Sequence, residues 1–135
     1  MIVNPFPVLL NFELFAPLIL RLFLGFVIIY LGNQTLTNLK TPLSEFFERC
    51  GLKPGDIFVS ILGVIEFTIA ILLTVGLYTQ IGALLSILII LGLMSVRKKY
   101  PAISPFGTIL CWSIITISLS LMLTGAGAYS IDLPL

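Results

Sequence analysis

Long apolar segments separated by short polar connections dominate the chain. Four of them run over residues 12–36, 56–78, 80–96 and 105–124. A bilayer crossing takes roughly 20 residues of helix, so all four are candidates to span a membrane. Hydrocarbon offers no partner to backbone N–H and C=O groups, which restricts such segments to helices. The pattern predicts an all-α protein, a membrane four-helix bundle, with residues 1–135 forming a single transmembrane domain.

The connection after the first segment has a different pattern. Over residues 42–50, apolar side chains recur at helical spacing, at Leu43, Phe46, Phe47 and Cys50. Thr41 is a candidate N-cap, and Gly51 stands where a helix-ending glycine belongs. These features predict a short amphipathic helix lying in the membrane interface between helices 1 and 2. An ordinary connecting helix packed under the bundle is the alternative.

Composition points to the lipid bilayer as the solvent. The chain is 59% hydrophobic and 10% charged, whereas soluble domains carry about 25% charged residues. There is too little polar material to cover a water-facing surface. The net charge of +1 provides no field for nucleic acid, so no nucleic-acid partner is expected.

The basic residues of the connections define an orientation. They lie in two connections that share one side of the membrane, at Lys40, Arg49, Lys53, Arg97, Lys98 and Lys99. The opposite side carries Glu13 and Asp132. The positive-inside rule predicts a multi-pass protein of the plasma membrane with both termini extracytoplasmic. The first segment lacks a basic start and is too long for a signal peptide, so we expect it to be retained.

Two charges, Arg21 and Glu66, interrupt the apolar segments. A charge inside a membrane normally faces the bundle interior. Arg21 shares its helical face with Gly25 and Gly32, and Glu66 shares its face with Gly63. Small residues allow two helices to approach closely.

Counting residues inward from the outer ends gives a depth for each charge. At 1.5 Å per residue, Arg21 lies ~14 Å and Glu66 ~18 Å below the outer surface. The two side chains are therefore expected to pair in the seam between helices 1 and 2. Asp132 is a second candidate partner for Arg21, alone or together with Glu66.

The pair has two interpretations. It is either a clasp that fixes helix register or the polar centre of a ligand pocket inside the membrane. In the second case the candidate ligand-binding residues are Arg21, Gly25, Tyr30, Gly32, Gly63, Glu66, Tyr129 and Asp132.

Four motifs, taken in order, resemble the DoxX family of small four-helix membrane proteins. They are "RLFLGFVIIYLGNQTL", "FFERCGLKPG", "ILGVIEFTIAILLTVGLYTQIGALL" and "GAGAYSIDL". Three positions depart from the family pattern. Leu31 stands where histidine is common, Thr35 where lysine follows the glutamine, and Ala128 where the C-terminal signature has arginine.

Relatives in that family include the membrane subunit of thiosulfate:quinone oxidoreductase. The resemblance implies an integral membrane subunit of a redox complex that binds a quinone or lipid-like ligand and a redox partner protein. A small transporter or permeation element built on Arg21 and Glu66 is one alternative. A ligand-free scaffold for assembly is another, and a homo-oligomer is open.

The residues that are missing exclude several chemistries. The chain has no histidine, so haem ligation by histidine, typical zinc sites and Ser-His or Cys-His catalysis are not expected. Cys50 and Cys111 are too far apart for a C-x-x-C motif and are expected to be apolar fillers. We expect no metal and no covalently bound cofactor, and we assign no catalytic residue. The stripe Ser113, Thr116, Ser120 and Thr124 is expected to serve packing rather than ligand binding, with its hydroxyls bonded to the preceding helical turn or across a helix seam.

Overall fold

A computed structural model describes residues 15–101 and 106–125, and these residues form five helices. They are α1 (Phe15–Leu36), α2 (Lys40–Arg49), α3 (Gly55–Val75), α4 (Thr79–Arg97) and α5 (Thr108–Thr124). These residues contain no β-strand. The predicted all-α class is confirmed for this part of the chain.

Three of the helices have the length and composition of membrane spans. They are α1, α3 and α4, with 22, 21 and 19 residues, while the equally apolar α5 has only 17. Their outward faces are apolar too, with Phe26 70% and Val64 62% exposed. A water-facing surface of that kind is unusual, which indicates a membrane protein.

The helix ends differ from the predicted ones for local backbone reasons. The segment predicted to end at 78 stops at Val75, because Gly76 adopts a left-handed conformation with φ of 77°. Tyr78 is also left-handed, at φ of 49°, and α4 starts directly after it. The predicted start at 12 lies outside the described residues. The segment predicted from 105 becomes helical only at Thr108, because Gly107 before it is extended.

The start of α2 corrects the sequence prediction. It begins at Lys40, two residues early, and Leu39 rather than Thr41 occupies the N-cap position, without a side-chain cap. A hydrogen-bonded turn connects α1 directly to α2, because the Leu39 N–H donates to the Gln34 carbonyl at 2.9 Å. Pro42 falls in the first turn, where an N–H has no intrahelical acceptor in any case.

The end of α2 follows the prediction at Gly51, which has φ of 88°. The N–H groups of Gly51 and Leu52 donate back to the carbonyls of Glu48 and Phe47 at 3.1 and 3.0 Å, a Schellman arrangement. The helix has already ended at Arg49, so the helical spacing does not carry Cys50 to the buried face. Cys50 is exposed, and only Cys111 is the buried filler that was expected.

The core joins α1 to α3 and α4 to α5, while α2 packs against α3. Each of α1, α3, α4 and α5 contributes a stripe of buried residues three or four positions apart. The apolar members include Leu24, Ile28, Leu31, Val59, Ile69, Leu73, Ile90, Ile114 and Leu121. Six polar or charged side chains of the described residues are also buried, namely Arg21, Thr35, Glu66, Thr79, Ser86 and Ser118. Candidate chemistry inside the bundle therefore depends on these six.

Candidate functional site

The α1–α3 seam, formed by Gly25, Gly32, Gly63 and Ala70, is closely packed. A Cβ at Gly25 would lie 2.7 Å from Thr74 Oγ1, and one at Gly63 would lie 2.5 Å from Leu36 Cδ2. A side chain at either position would require Thr74 or Leu36 to shift. The close approach predicted from the small residues is present, and it closes the seam at these positions.

The contacts of the three glycines define the register of α1 against α3. Gly25 faces Ala70 and Thr74, Gly32 faces Glu66 and Phe67, and Gly63 faces Leu36. Glu66 is thus level with Gly32, which comes eleven residues after Arg21. At 1.5 Å per residue, Arg21 and Glu66 are separated by ~16 Å along the helices.

The direct Arg21–Glu66 contact expected from the sequence is not formed. Neither Glu66 oxygen has a hydrogen-bond partner among the described residues, and the separation exceeds the reach of an arginine side chain. The depth estimate was wrong because it placed residue 12 and Tyr78 at one level. The observed register instead places Arg21 level with the turn between α3 and α4.

Arg21 is almost completely buried, with 1% of its surface exposed. It lies six residues after Phe15, the first residue of α1 in the structure, at the end of the bundle that carries the α3–α4 turn. Tyr129 and Asp132, its predicted neighbours, lie outside the described residues. The Arg21–Asp132 pairing stays a prediction.

Glu66 lies in the middle of α3, eleven residues from Gly55 and nine from Val75. Its side chain is fully buried, as is that of Thr35. The Thr35 hydroxyl lies beside the carboxylate, yet neither group completes a hydrogen bond with a described residue. Thr35 was not among the predicted site residues, although it continues the helical face of Arg21, Gly25 and Gly32.

Tyr30 lies away from the seam that it was predicted to line. It is 46% exposed, its hydroxyl accepts a 2.8 Å hydrogen bond from Gln34, and its ring stacks on Phe106 at 5.8 Å. A residue on this outer face of α1 does not reach Glu66. The structure therefore divides the described members of the predicted set between the seam, the Arg21 end and the exposed surface of α1.

The hydroxyl stripe of α5 has a local explanation. Ser113, Thr116 and Thr124 donate to carbonyls four residues earlier, at 3.0, 2.9 and 2.9 Å. This is one of the two bonding modes predicted for them. For these three residues the structure gives no indication of a ligand role.

A feature that the sequence did not reveal lies at the other end of the bundle. The α2 groove is a cavity of about 260 Å³. It is lined by Pro42, Glu45, Phe46, Arg49, Lys99, Tyr100 and Pro101. Arg49 and Tyr100 meet across it, with Nη1 3.4 Å from the hydroxyl and Cζ 5.6 Å from the ring centre. This hydrogen bond raises the pKa of Arg49, which keeps the guanidinium charged.

An aromatic cluster supports the groove from behind. The ring of Phe46 lies 5.8 Å from Tyr100 and 5.7 Å from Phe47, and Phe47 lies 6.0 Å from Phe58. Nearby, Arg97 Nη1 donates to the Phe106 carbonyl at 3.0 Å. These contacts fasten α2, α3 and the connection after α4 to one another.

Comparison with known proteins gives one result. The DoxX family model matches residues 16–97, which are 82 of the 135 residues and extend from α1 to the end of α4. The motifs of the first three helical regions lie inside that match, and the C-terminal "GAGAYSIDL" lies beyond it. No curated protein and no solved structure matches the chain.

Proposed function

Because the chain belongs to the DoxX family, we propose that it is the membrane subunit of a redox complex. In this proposal it holds the head of a quinone or other lipid-like molecule at the Arg21 end of the bundle. A partner protein with its own redox cofactor then exchanges electrons with that molecule. The chain itself contributes binding and orientation, since its described residues include no cluster able to hold a metal ion.

The proposal includes a topology. Residues 1–135 form one domain in the plasma membrane, a four-helix bundle of α1, α3, α4 and α5, with α2 in the interface. Both termini are extracytoplasmic, and α2 and the Arg97–Lys99 run face the cytoplasm. Support comes from the one-sided distribution of basic residues and from the apolar exposed faces of the helices.

The observation that carries the ligand proposal is the buried Arg21 guanidinium at one end of a long apolar helix. A guanidinium offers five N–H donors in a fixed plane, which suits a quinone carbonyl or a phosphate oxygen. Ile19, Leu22 and Phe23 beside it are 65%, 45% and 46% exposed. An isoprenoid or acyl tail fits against such a surface, whereas the closed α1–α3 seam has no room for one.

Mass spectrometry of the purified protein tests this proposal. Wild type, Arg21→Gln and Glu66→Gln are purified in mild detergent, and extracted quinones and lipids are quantified per mole of protein. Both substitutions neutralise one intramembrane charge, but they lie ~16 Å apart. We expect wild type and Glu66→Gln to retain the same molecule, and Arg21→Gln to lose most of it.

Unfolding temperatures of the three proteins show whether a loss of ligand reflects misfolding. Equal retention by Arg21→Gln and wild type contradicts a site at Arg21. If no quinone or lipid is recovered, even after incubation with a short-chain quinone, the ligand-free scaffold is the better description. Mild purification also tests for the redox partner protein. That protein should copurify with the chain and be visible through the absorption spectrum of its cofactor.

The central position of Glu66 favours one second candidate, a permeation element. Ionisable residues buried midway through a span commonly mark ion or proton pathways, and Glu66 and Thr35 are both fully buried there. Proton flux into liposomes that contain wild type but not Glu66→Gln supports this function. Equal flux for the two proteins eliminates it.

A further inference from the structure

The α2 groove has the features of a second binding site, at the end of the bundle opposite Arg21. We propose that it binds the head group of a monoanionic phospholipid with a hydroxylated head, such as phosphatidylglycerol. The lipid comes from the leaflet on the side where α2 lies. This site is independent of the quinone proposal and shares no residue with it.

The positive charge of the groove is held in a defined place. Tyr100 contacts the Arg49 guanidinium through both its hydroxyl and its ring, and Phe46 packs edge-on against Tyr100 at 70°. The planar guanidinium is thereby oriented at the rim, where it can donate two parallel hydrogen bonds to a phosphate. Lys99 lines the same groove as a second cation.

The single acid of the lining determines which anion fits. Glu45 lies in the groove with Arg49 and Lys99, so the lining carries one net positive charge. That balance matches a phosphodiester, which has one negative charge, better than inorganic phosphate or a phosphomonoester. The hydroxyls of such a head group can also donate hydrogen bonds to the Glu45 carboxylate.

Size and position favour a lipid over a protein segment. A volume of about 260 Å³ holds a glycerophosphate group, while an α-helix with side chains is about 10–12 Å across. Tyr100 comes three residues after the end of α4 at Arg97, so the groove opens where a spanning helix leaves the hydrocarbon. Basic residues at that level attract anionic lipids.

Lipid binding is measured by native mass spectrometry in a neutral detergent, with dioleoylphosphatidylglycerol and dioleoylphosphatidylcholine as probes. The test variant is Arg49→Ala/Lys99→Ala. The control is Lys40→Ala/Lys53→Ala, which removes the same charge on the same side but outside the groove lining. We expect the glycerol lipid to bind wild type about tenfold tighter than the choline lipid. The affinity of the test variant for the glycerol lipid should fall about fivefold for each basic residue removed. The affinity of the control should change little.

Several outcomes overturn the proposal. Equal binding of the two lipids shows that the groove recognises no anion, and equal losses in the two variants show that only overall charge matters. Displacement of the glycerol lipid by millimolar inorganic phosphate shows a site for free anions instead. Arg21→Gln is expected to bind the glycerol lipid normally, so a failure of the quinone proposal leaves this result unchanged.

Discussion

Two places where helices meet, the α1–α3 seam and the α2 groove, are built in opposite ways. In the seam, glycines bring the backbones together and a Cβ at Gly63 would lie 2.5 Å from Leu36. In the groove, large rings hold the elements apart, and about 260 Å³ stays open beside Arg49 and Tyr100. Small side chains leave no space for a ligand, whereas bulky side chains of unequal shape do.

The charged side chains are also distributed differently between the closed seam and the ends of the bundle. Glu66 is enclosed in the seam, where only the Thr35 hydroxyl lies beside it among the polar groups of described residues. The basic residues lie at the two ends of the bundle, Arg21 at one and Arg49 at the other. The charge in the closed seam lies between two packed helices, whereas Arg49 lines an open groove at its end of the bundle and Arg21 is buried at the other.

The largest effect is expected in the seam. Gly63→Val forces Leu36 and the two helices apart, and overpacking of this kind costs about 1–3 kcal/mol. Thermal unfolding in detergent measures the loss. Gly92→Val on α4 is the matched control, because among the described residues no atom beyond the local helix backbone lies within 4 Å of a Cβ at Gly92. Similar losses for the two variants mean that the seam is not the closely packed contact described.

A smaller loss is expected behind the groove. Phe47→Ala removes one ring from the aromatic cluster, between Phe46 and Phe58. The ring is only half-buried, so we expect a loss of about 1–2 kcal/mol, below the full cost of a buried Phe→Ala change. The same unfolding assay applies, and a cost above that of Gly63→Val reverses the ranking of the two regions.

The smallest effect is expected outside both regions. Gly92→Ala on α4 adds a methyl group in open space and removes a flexible residue from a helix interior. It should stabilise the protein by no more than about 1 kcal/mol. A clear destabilisation indicates that this face of α4 packs against something, such as a second copy of the chain, which crosslinking then tests.

The sequence predicted the seam but not its register. The stripes of small residues through Gly25, Gly32 and Gly63 identify the two faces that meet. Where they meet depends on helix ends, and the left-handed Gly76 ends α3 three residues before the predicted position. Because the predicted helix ends were wrong by a few residues, Arg21 and Glu66 were predicted to lie at similar depths in the membrane.

The groove was beyond sequence reasoning for a different reason. Arg49 and Tyr100 are 51 residues apart, and nothing in the sequence connects the motif that contains Arg49 with the residues after α4. They meet because α2 follows α1 after a three-residue turn and packs against α3. That packing depends on Gly55, where a Cβ would collide with the backbone of Ser44. A single glycine of this kind gives no pattern along the chain.

The separation of the two intramembrane charges is the central claim, and a double-mutant cycle on unfolding free energy tests it most directly. The cycle combines Arg21→Gln with Glu66→Gln. Residues this far apart should be additive within about 0.5 kcal/mol. Thr35→Val with Glu66→Gln is the positive control, because these neighbours should show coupling. Coupling above about 1 kcal/mol between Arg21 and Glu66 contradicts the register and restores a direct ion pair in the seam.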